Sequence, residues 1–258
     1  MDVPQVAVFD TGFHQTMPDY AYMYGLPYEY YEKYKIRRYG FHGTSHRYVA
    51  GRAGELFGKP DLNVVTCHLG NGASVCAVKD GKCFDTSMGV TPLEGIMMGT
   101  RCGNIDSAII PYLMKKGEVT TADEIDKMMN KKSGMLGVSG ISSDNQDICR
   151  LAEEGNERCI LIQNMYCHQL TKFVGGYVAA MGGTDAIVFT GGIGENTPLY
   201  RAKVCEKLAY MGVKIDEEKN NTRGEEIEIS AKDSKVKVYV IPTNEELVIA
   251  RDTLALIG

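Results

Sequence analysis

Five groups of residues in this sequence have the types and spacing that chemistry requires. Asp10 closes the apolar run Gln5-Val6-Ala7-Val8-Phe9. A carboxylate at the end of a buried strand commonly faces the ligand crevice of an α/β sheet, so Asp10 is suited to hold Mg2+, to act as a general base or to cap a helix. Gly191-Gly192-Ile193-Gly194-Glu195-Asn196 follows the apolar run Ala186 to Thr190. Bare backbone N–H groups beside a helix N-terminus suit a phosphate or a nucleotide. The Gly-Lys-Ser/Thr ending of a Walker loop is absent and the dinucleotide fingerprint is not matched, which leaves a plain tight turn as the alternative. His68-Leu69-Gly70-Asn71-Gly72 is a second glycine-rich turn, at a hairpin tip. Two such loops favour nucleotide phosphates more than either does by itself. His42 and His46 stand at i, i+4, but the intervening glutamate of a zincin is missing, so zinc is not expected on that pair. Arg101 lies between Gly99 and Gly103. A guanidinium held there clamps a phosphoryl group or pairs with a surface carboxylate.

The elements that must position these groups are legible in the hydrophobic pattern. Residues 5–9 read as a strand that opens the chain. Residues 45–57 read as a helix with Ser45 or Thr44 as its N-cap. Residues 63–87 form an antiparallel meander, because Asn71-Gly72 and Asp80-Gly81 between β-rich runs accept the positive φ of two-residue turns. Ile105, Ala108, Ile109 and Leu113 share a helical face before Gly117. Thr121 and Glu124 form a capping box. The longest helix runs over 157–181 and stops at Gly182-Gly183. A strand over 185–190, a glycine loop and a helix over 198–211 with proline in its first turn come next. Residues 225–230 and 235–241 pair as strands, and a last helix runs over 244–256. The class is α/β with a mixed sheet.

Composition narrows the function. The chain has 258 residues, 44% hydrophobic and 24% charged, with 28 basic and 33 acidic side chains and a net charge of -5. That balance gives no basis for nucleic-acid binding. No apolar run approaches the ~20 residues of a membrane helix, and Met1-Asp2-Val3-Pro4 lacks a signal peptide's basic start. The eight cysteines include no Cys-x-x-Cys pair and sit in apolar segments. They read as buried free thiols of a cytoplasmic protein, too scattered for a zinc site. Eight of the fifteen tyrosines fall in residues 20–39, suited to packing or to a subunit interface.

Taken together, the segments resemble the acetate/propionate kinase family of the actin/Hsp70/sugar kinase (ASKHA) superfamily. The matching stretches are Val8 to Pro18, Arg38 to His46, Cys67 to Ser74, Asp85 through Arg101, Phe189 to Asn196 and Pro242 to Glu246, in the family's order from end to end of the chain. The resemblance implies a ribonuclease H-like fold with a mixed sheet and flanking helices. It implies phosphoryl transfer between ATP and acetate, giving ADP and acetyl phosphate, with Mg2+ (or Mn2+) and a homodimer. Asp10 falls on the family's essential aspartate, linked to the metal and to acid/base roles. His42 and Arg101 fall on the residues that stabilise the transferring phosphoryl group. His68, Leu69, Gly70, Asn71 and Gly72, and Gly191, Gly192, Ile193, Gly194 and Glu195, match the ATP loops. Asp144, Asn145 and Gln146 fall on a further nucleotide segment. Glu245 matches the Mg2+-linked glutamate, and Phe41 and Pro92 line the pocket for the acetate methyl. On this reading residues 13–242 are the nucleotide-binding second domain, and 1–12 and 243–258 belong to the first.

The sequence departs from the family pattern in two ways. Family chains are longer at the N-terminus, where a hairpin contacts phosphate and metal and an arginine binds the acetate carboxylate. The expectation is therefore an isolated chain with little or no kinase activity. The family's Asp-x-Arg reads Asp144-Asn145-Gln146 here, which removes a cation near the nucleotide. Asn104 and Ser107 replace the usual Asp and Pro. Propionate or butyrate as substrate, a non-catalytic nucleotide-binding module, and a subunit completed by a second polypeptide are the alternative readings.

Overall fold

The computed structural model describes residues 3–258; Met1 and Asp2, the start of the 1–12 segment, lie outside the described residues. Six strands, β1 (Val64–Leu69), β2 (Ala73–Lys79), β3 (Lys82–Thr86), β4 (Ala186–Thr190), β5 (Ile227–Glu228) and β6 (Lys237–Val240), form one mixed sheet in the order β3-β2-β1-β4-β6-β5. β1, β4 and β6 run parallel, while β2, β3 and β5 complete the sheet antiparallel. The predicted meander and the later strand pair are both present, β5 and β6 shorter than expected.

Alternation along the strands sorts the core into two layers, because successive side chains point to opposite faces. Val65, Cys67, Leu69, Val75, Ile187, Phe189 and Val238 pack on one face. Against them lie Tyr166, Leu170 and Val174 of the Glu157–Met181 helix and Val204 of the Pro198–Lys207 helix. Val64, Cys76, Val78, Ala186, Val188 and Tyr239 face the other way, onto Val49, Ala50 and Ala53 of the Gly43–Phe57 helix. Thr66, His68 and Ser74 share that second face by the same period-2 rule. A sheet face that is apolar over most of its area thus turns polar at the end nearest residues 42–46.

Most predicted signals act as expected. Thr121 and Glu124 make the reciprocal capping box. The long helix ends at Gly182 in the left-handed conformation, and Gly183 donates to the Val178 carbonyl. Asp80 and Gly81 both carry positive φ in the two-residue turn between Lys79 and Lys82. The last helix spans Glu245–Ile257, capped by Asn244.

Several expectations are corrected. Residues 5–9 do not join the sheet: Val3 and Phe9 are exposed and no strand among the described residues pairs with this run. The Gly43–Phe57 helix starts earlier than residue 45, and its N-cap is His42, held in the left-handed conformation, not Ser45 or Thr44. The hairpin tip has three residues, Gly70, Asn71 and Gly72, none at positive φ. Ile105 lies outside the Ile109–Lys116 helix, and Ile105 and Ile109 are both exposed. The glycine loop after β4 is itself a helical turn, Gly191–Asn196, and the following helix ends at Lys207 before a 3-10 turn, Ala209–Met211. The cysteines are not all scattered. A register shift between Ala77 and Val78 brings Cys76 and Cys83 within 3.5 Å, sulfur to sulfur.

Candidate functional site

The carboxyl ends of parallel β1 and β4 carry the two glycine segments, the place where open α/β sheets bind ligands. Gly191 has φ +76 and is buried, and a Cβ there would stand 2.8 Å from the Leu69 carbonyl oxygen. Only glycine lets the turn after β4 lie this close to the end of β1. Glu195 closes the turn by accepting the Gly191 N–H at 2.8 Å. Leu69 itself is fully buried in the core, so its place in the candidate loop is that of an anchor.

A cavity of about 840 Å³ opens beside these ends, lined by Gly70, Asn71, Asp144, Asn145, Gln146, Gly192 and Ile193. The three separate segments predicted for a nucleotide therefore meet at one cavity, within the size range of small-molecule sites. Asp144 caps the Asn145–Glu153 helix by accepting the Gln146 N–H at 2.8 Å. Buried Asn145 receives the Tyr200 hydroxyl. Gln146 projects from the first turn, exposed. His68, Gly72, Gly191, Gly194 and Glu195 do not line this cavity.

Sequence reasoning missed Arg223, which lines the same cavity and donates to the Asn196 carbonyl at 2.7 Å. Arg150, also in the lining, is engaged by Asp147 and Glu154, whereas Arg223 makes no ion pair among the described residues. It lies in the charged 216–223 connector, whose composition marks only a solvated segment.

On the other side of the hairpin tip, four histidines interlock. His42 and His68 stack with centroids 4.1 Å apart. Ser74 Oγ bridges His42 Nδ1 at 2.8 Å and His46 Nε2 at 2.7 Å, while His46 Nδ1 meets Thr66 and His68 Nδ1 meets Ser45. His14 approaches His46 edge-on. Burial, then the charges of Arg101 and His14, hold His42 down at about 4. Burial and His42 hold His68 at about 3, and burial keeps His46 far below the usual range. At neutral pH His42 is a neutral hydrogen-bonding group.

Gly72 is the meeting point. A Cβ on it would lie 3.1 Å from His42 Nε2 and 3.6 Å from Arg101 Nη1. Arg101 donates to the Pro92 carbonyl at 2.9 Å and rests against Met98 Sδ, with no carboxylate partner among the described residues. The surface ion pair left open for it by the sequence is thus not formed. A guanidinium fixed by a carbonyl keeps its remaining N–H donors and its full charge for an anion.

Asp10 is exposed and fixes the start of the Gly43–Phe57 helix: its Oδ2 accepts the His42 N–H at 2.7 Å and its carbonyl accepts the Gly43 N–H. Of its three sequence roles, the capping contact is formed. Glu245 opens the last helix, and burial, then the charges of Asp10 and Glu246, push its carboxyl above the usual range. With Asp10 nearby, Glu245 offers hard oxygen donors of the kind a divalent cation takes. Phe41 is half-buried, and its carbonyl meets His14 Nε2 at 3.0 Å. No helix among the described residues is long and apolar enough to cross a membrane.

Comparison with known proteins identifies the family. The Acetokinase family matches residues 1–251. An acetate kinase of Halothermothrix orenii is 60% identical over 99% of this chain, and one of Methanosarcina barkeri is 58% identical over 98%. The crystal structure of Porphyromonas gingivalis acetate kinase superposes with a TM-score of 0.95 at 50% identity, covering 97% of this chain and 63% of that one. A propionate kinase from Francisella tularensis gives 0.92 at 46% identity, covering 97% and 64%. The chain spans 64% of the Halothermothrix protein and 62% of the Methanosarcina protein. The mixed sheet with flanking helices is accordingly the ASKHA fold, and the chain belongs to the acetokinase family.

Proposed function

We propose that this chain carries the nucleotide side of an acetate kinase site, whose whole enzyme catalyses reversible phosphoryl transfer from ATP to acetate to give ADP and acetyl phosphate. The observation that carries the reading is the placement of Arg101 and the neutral His42 ring at the Gly72 tip, beside the cavity that gathers residues 70–71, 144–146 and 192–193. Residues 13–242 form the nucleotide-binding unit on this reading, and the whole enzyme is a cytoplasmic homodimer.

Acetate is already ionised at neutral pH, so its carboxylate attacks without a strong general base. The reaction requires in-line positioning and cancellation of charge on the equatorial phosphoryl oxygens. Arg101 supplies charge, and His42 supplies a hydrogen bond whose direction Ser74 fixes. Phe41 and Pro92 border the acetate methyl, and Pro92 also holds Arg101 through its carbonyl. Gly70 and Asn71, Asp144 to Gln146, and Gly192 and Ile193 hold the nucleotide, while the flanking His68, Leu69, Gly72, Gly191, Gly194 and Glu195 shape the two loops, and Arg223 replaces the cation that Gln146 lacks. Asp10 and Glu245 would hold Mg2+ (or Mn2+), which when bound neutralises phosphate charge.

Calorimetric titration with Mg-ADP and Mg-ATP, together with trapping of acetyl phosphate by hydroxylamine, tests the reading. Saturable nucleotide binding weakened by Asn71→Trp, which fills the cavity mouth, supports it. Absence of saturable binding overturns it. The same assay with propionate in place of acetate tests the second reading, favoured by the similarity to the Francisella propionate kinase: higher kcat/KM for propionate would establish it.

A further inference from the structure

We propose that His14, Cys76 and Cys83 form a binding site for a thiophilic d10 cation, with Zn2+ the ion whose charge the site balances. The three ligand atoms lie within 4.8 Å of one another. His14 Nδ1 is 3.1 Å from Cys83 Sγ, which is 3.5 Å from Cys76 Sγ. All three residues are buried, at 0%, 0% and 1% exposure. The 3.1 and 3.5 Å separations are within the span one cation bridges with Zn–S near about 2.3 Å and Zn–N near about 2.0 Å.

The orientation of His14 suits coordination. Its Nε2 lies 3.0 Å from the Phe41 carbonyl oxygen, an acceptor only, so Nε2 carries a proton and donates there. Nδ1, 3.1 Å from Cys83 Sγ, is then the nitrogen whose lone pair a cation takes, displacing any proton it shares with the sulfur. Ligating histidines usually have their second nitrogen donating to a carbonyl or carboxylate in this way. Other contacts fix the donors from outside. Thr16 Oγ1 donates to the Cys83 carbonyl at 2.8 Å, and Gly40 packs so closely on the imidazole that a Cβ would meet its Cδ2 at 2.6 Å.

Charge and softness select the ion. Two thiolates and a neutral imidazole carry two negative charges, which Zn2+ cancels, and a neutral complex avoids the cost of burying net charge. Cu(I) matches the soft donors but leaves the complex anionic. Mg2+ prefers oxygen and belongs with Asp10 and Glu245. Because the Phe41 carbonyl immediately precedes His42, a loaded site fastens the segment that presents the His42 ring at the Gly72 tip. This placement is independent of the proposed acetate reaction.

The test uses the whole chain refolded with Zn2+ and, separately, with Co2+, each followed by a chelator wash. We expect one retained equivalent of zinc by mass spectrometry, unaffected by excess Mg2+. X-ray absorption of that wild-type sample should show two sulfur neighbours and at least one nitrogen. The cobalt form should show thiolate-to-metal charge transfer that Cys83→Ser abolishes and Cys102→Ser leaves intact. A retained metal with only oxygen and nitrogen neighbours, or no retained metal, overturns the proposal and leaves a hydrogen-bonded core chain. The absorption measurement needs no variant, so poor folding of Cys83→Ser does not prevent a decision. Retention of Cu(I) with exclusion of Zn2+ would overturn the charge argument.

Discussion

Acidification puts the interlocked histidines under direct strain. His42 and His68 stack at 4.1 Å, and burial holds them at about 4 and about 3, with Arg101 and His14 adding to the first and His42 to the second. In the unfolded chain both rings titrate near about 6.5. The folded rings therefore bind fewer protons than the unfolded ones. The stability this represents is complete above the unfolded value and is lost as the pH falls toward the folded ones. Between pH 7 and pH 5 linkage gives a loss of about 2 kcal/mol for each ring, roughly 4 kcal/mol together. That is a large part of the 5–15 kcal/mol typical of a domain. His46 acts in the same direction. His14 acts in the opposite one: burial lowers its pKa, but Cys83 and the Phe41 carbonyl outweigh that and raise it, so its contribution is present at low pH and is lost as pH rises. Urea unfolding at pH 7, 6 and 5 measures the loss, and imidazole Cε1–H NMR measures each ring. His42→Gln should remove about half of the slope. A folded-state midpoint near 6.5 for either ring would refute the reasoning.

Four further variants test the geometry. In the whole enzyme, Arg101→Ala should lower kcat by about 10²- to 10³-fold with nucleotide affinity changed less than about twofold, as expected for a group that meets charge developing in transfer; calorimetry and steady-state kinetics on one preparation check this, and an equal loss in binding contradicts it. Gly191→Ala should destabilise by about 1–3 kcal/mol, because a left-handed φ and an approach of 2.8 Å to the Leu69 carbonyl are both penalised; a denaturation midpoint equal to wild type would contradict it. Gln146→Arg should tighten Mg-ADP binding about 5- to 10-fold at low salt and less at high salt, whereas Arg223→Ala should weaken it; salt-independent effects would argue against a charge mechanism.

Local signals in the sequence carried far in the fold. Asp80-Gly81, the Thr121 and Glu124 box and the Gly182 stop all act within a few residues, so their chemistry is readable without tertiary context. The segments that line the candidate cavity, 70–71, 144–146 and 192–193, each carry a local motif, so their meeting place was partly visible in the sequence. Residues 5–9 have strand composition but no ladder partner among the described residues, and composition cannot supply one. Ser45 was displaced as N-cap because Asp10, distant in sequence, anchors the helix start at His42 and Gly43. Arg223 was hidden in a polar connector, since the cavity it joins is assembled from four separate segments. The Cys76, Cys83 and His14 group was invisible to spacing because a strand bulge and a 3-10 turn, Gly12–Thr16, bring it together.

The register of the parallel strands also dictates an order of events when the chain folds. β1 pairs with β2 across a three-residue tip, but it pairs with β4 by matching Val64 to Ala186, and β4 then matches Ala186 to Lys237. Closing such long loops carries an entropy cost before any contact compensates for it. The β1–β2–β3 hairpin, with Gly70 to Gly72 at its tip, should thus gain amide protection early in refolding. The Gly191 turn should wait for β4 to dock, so that half of the nucleotide cavity exists before the other half has a place to stand.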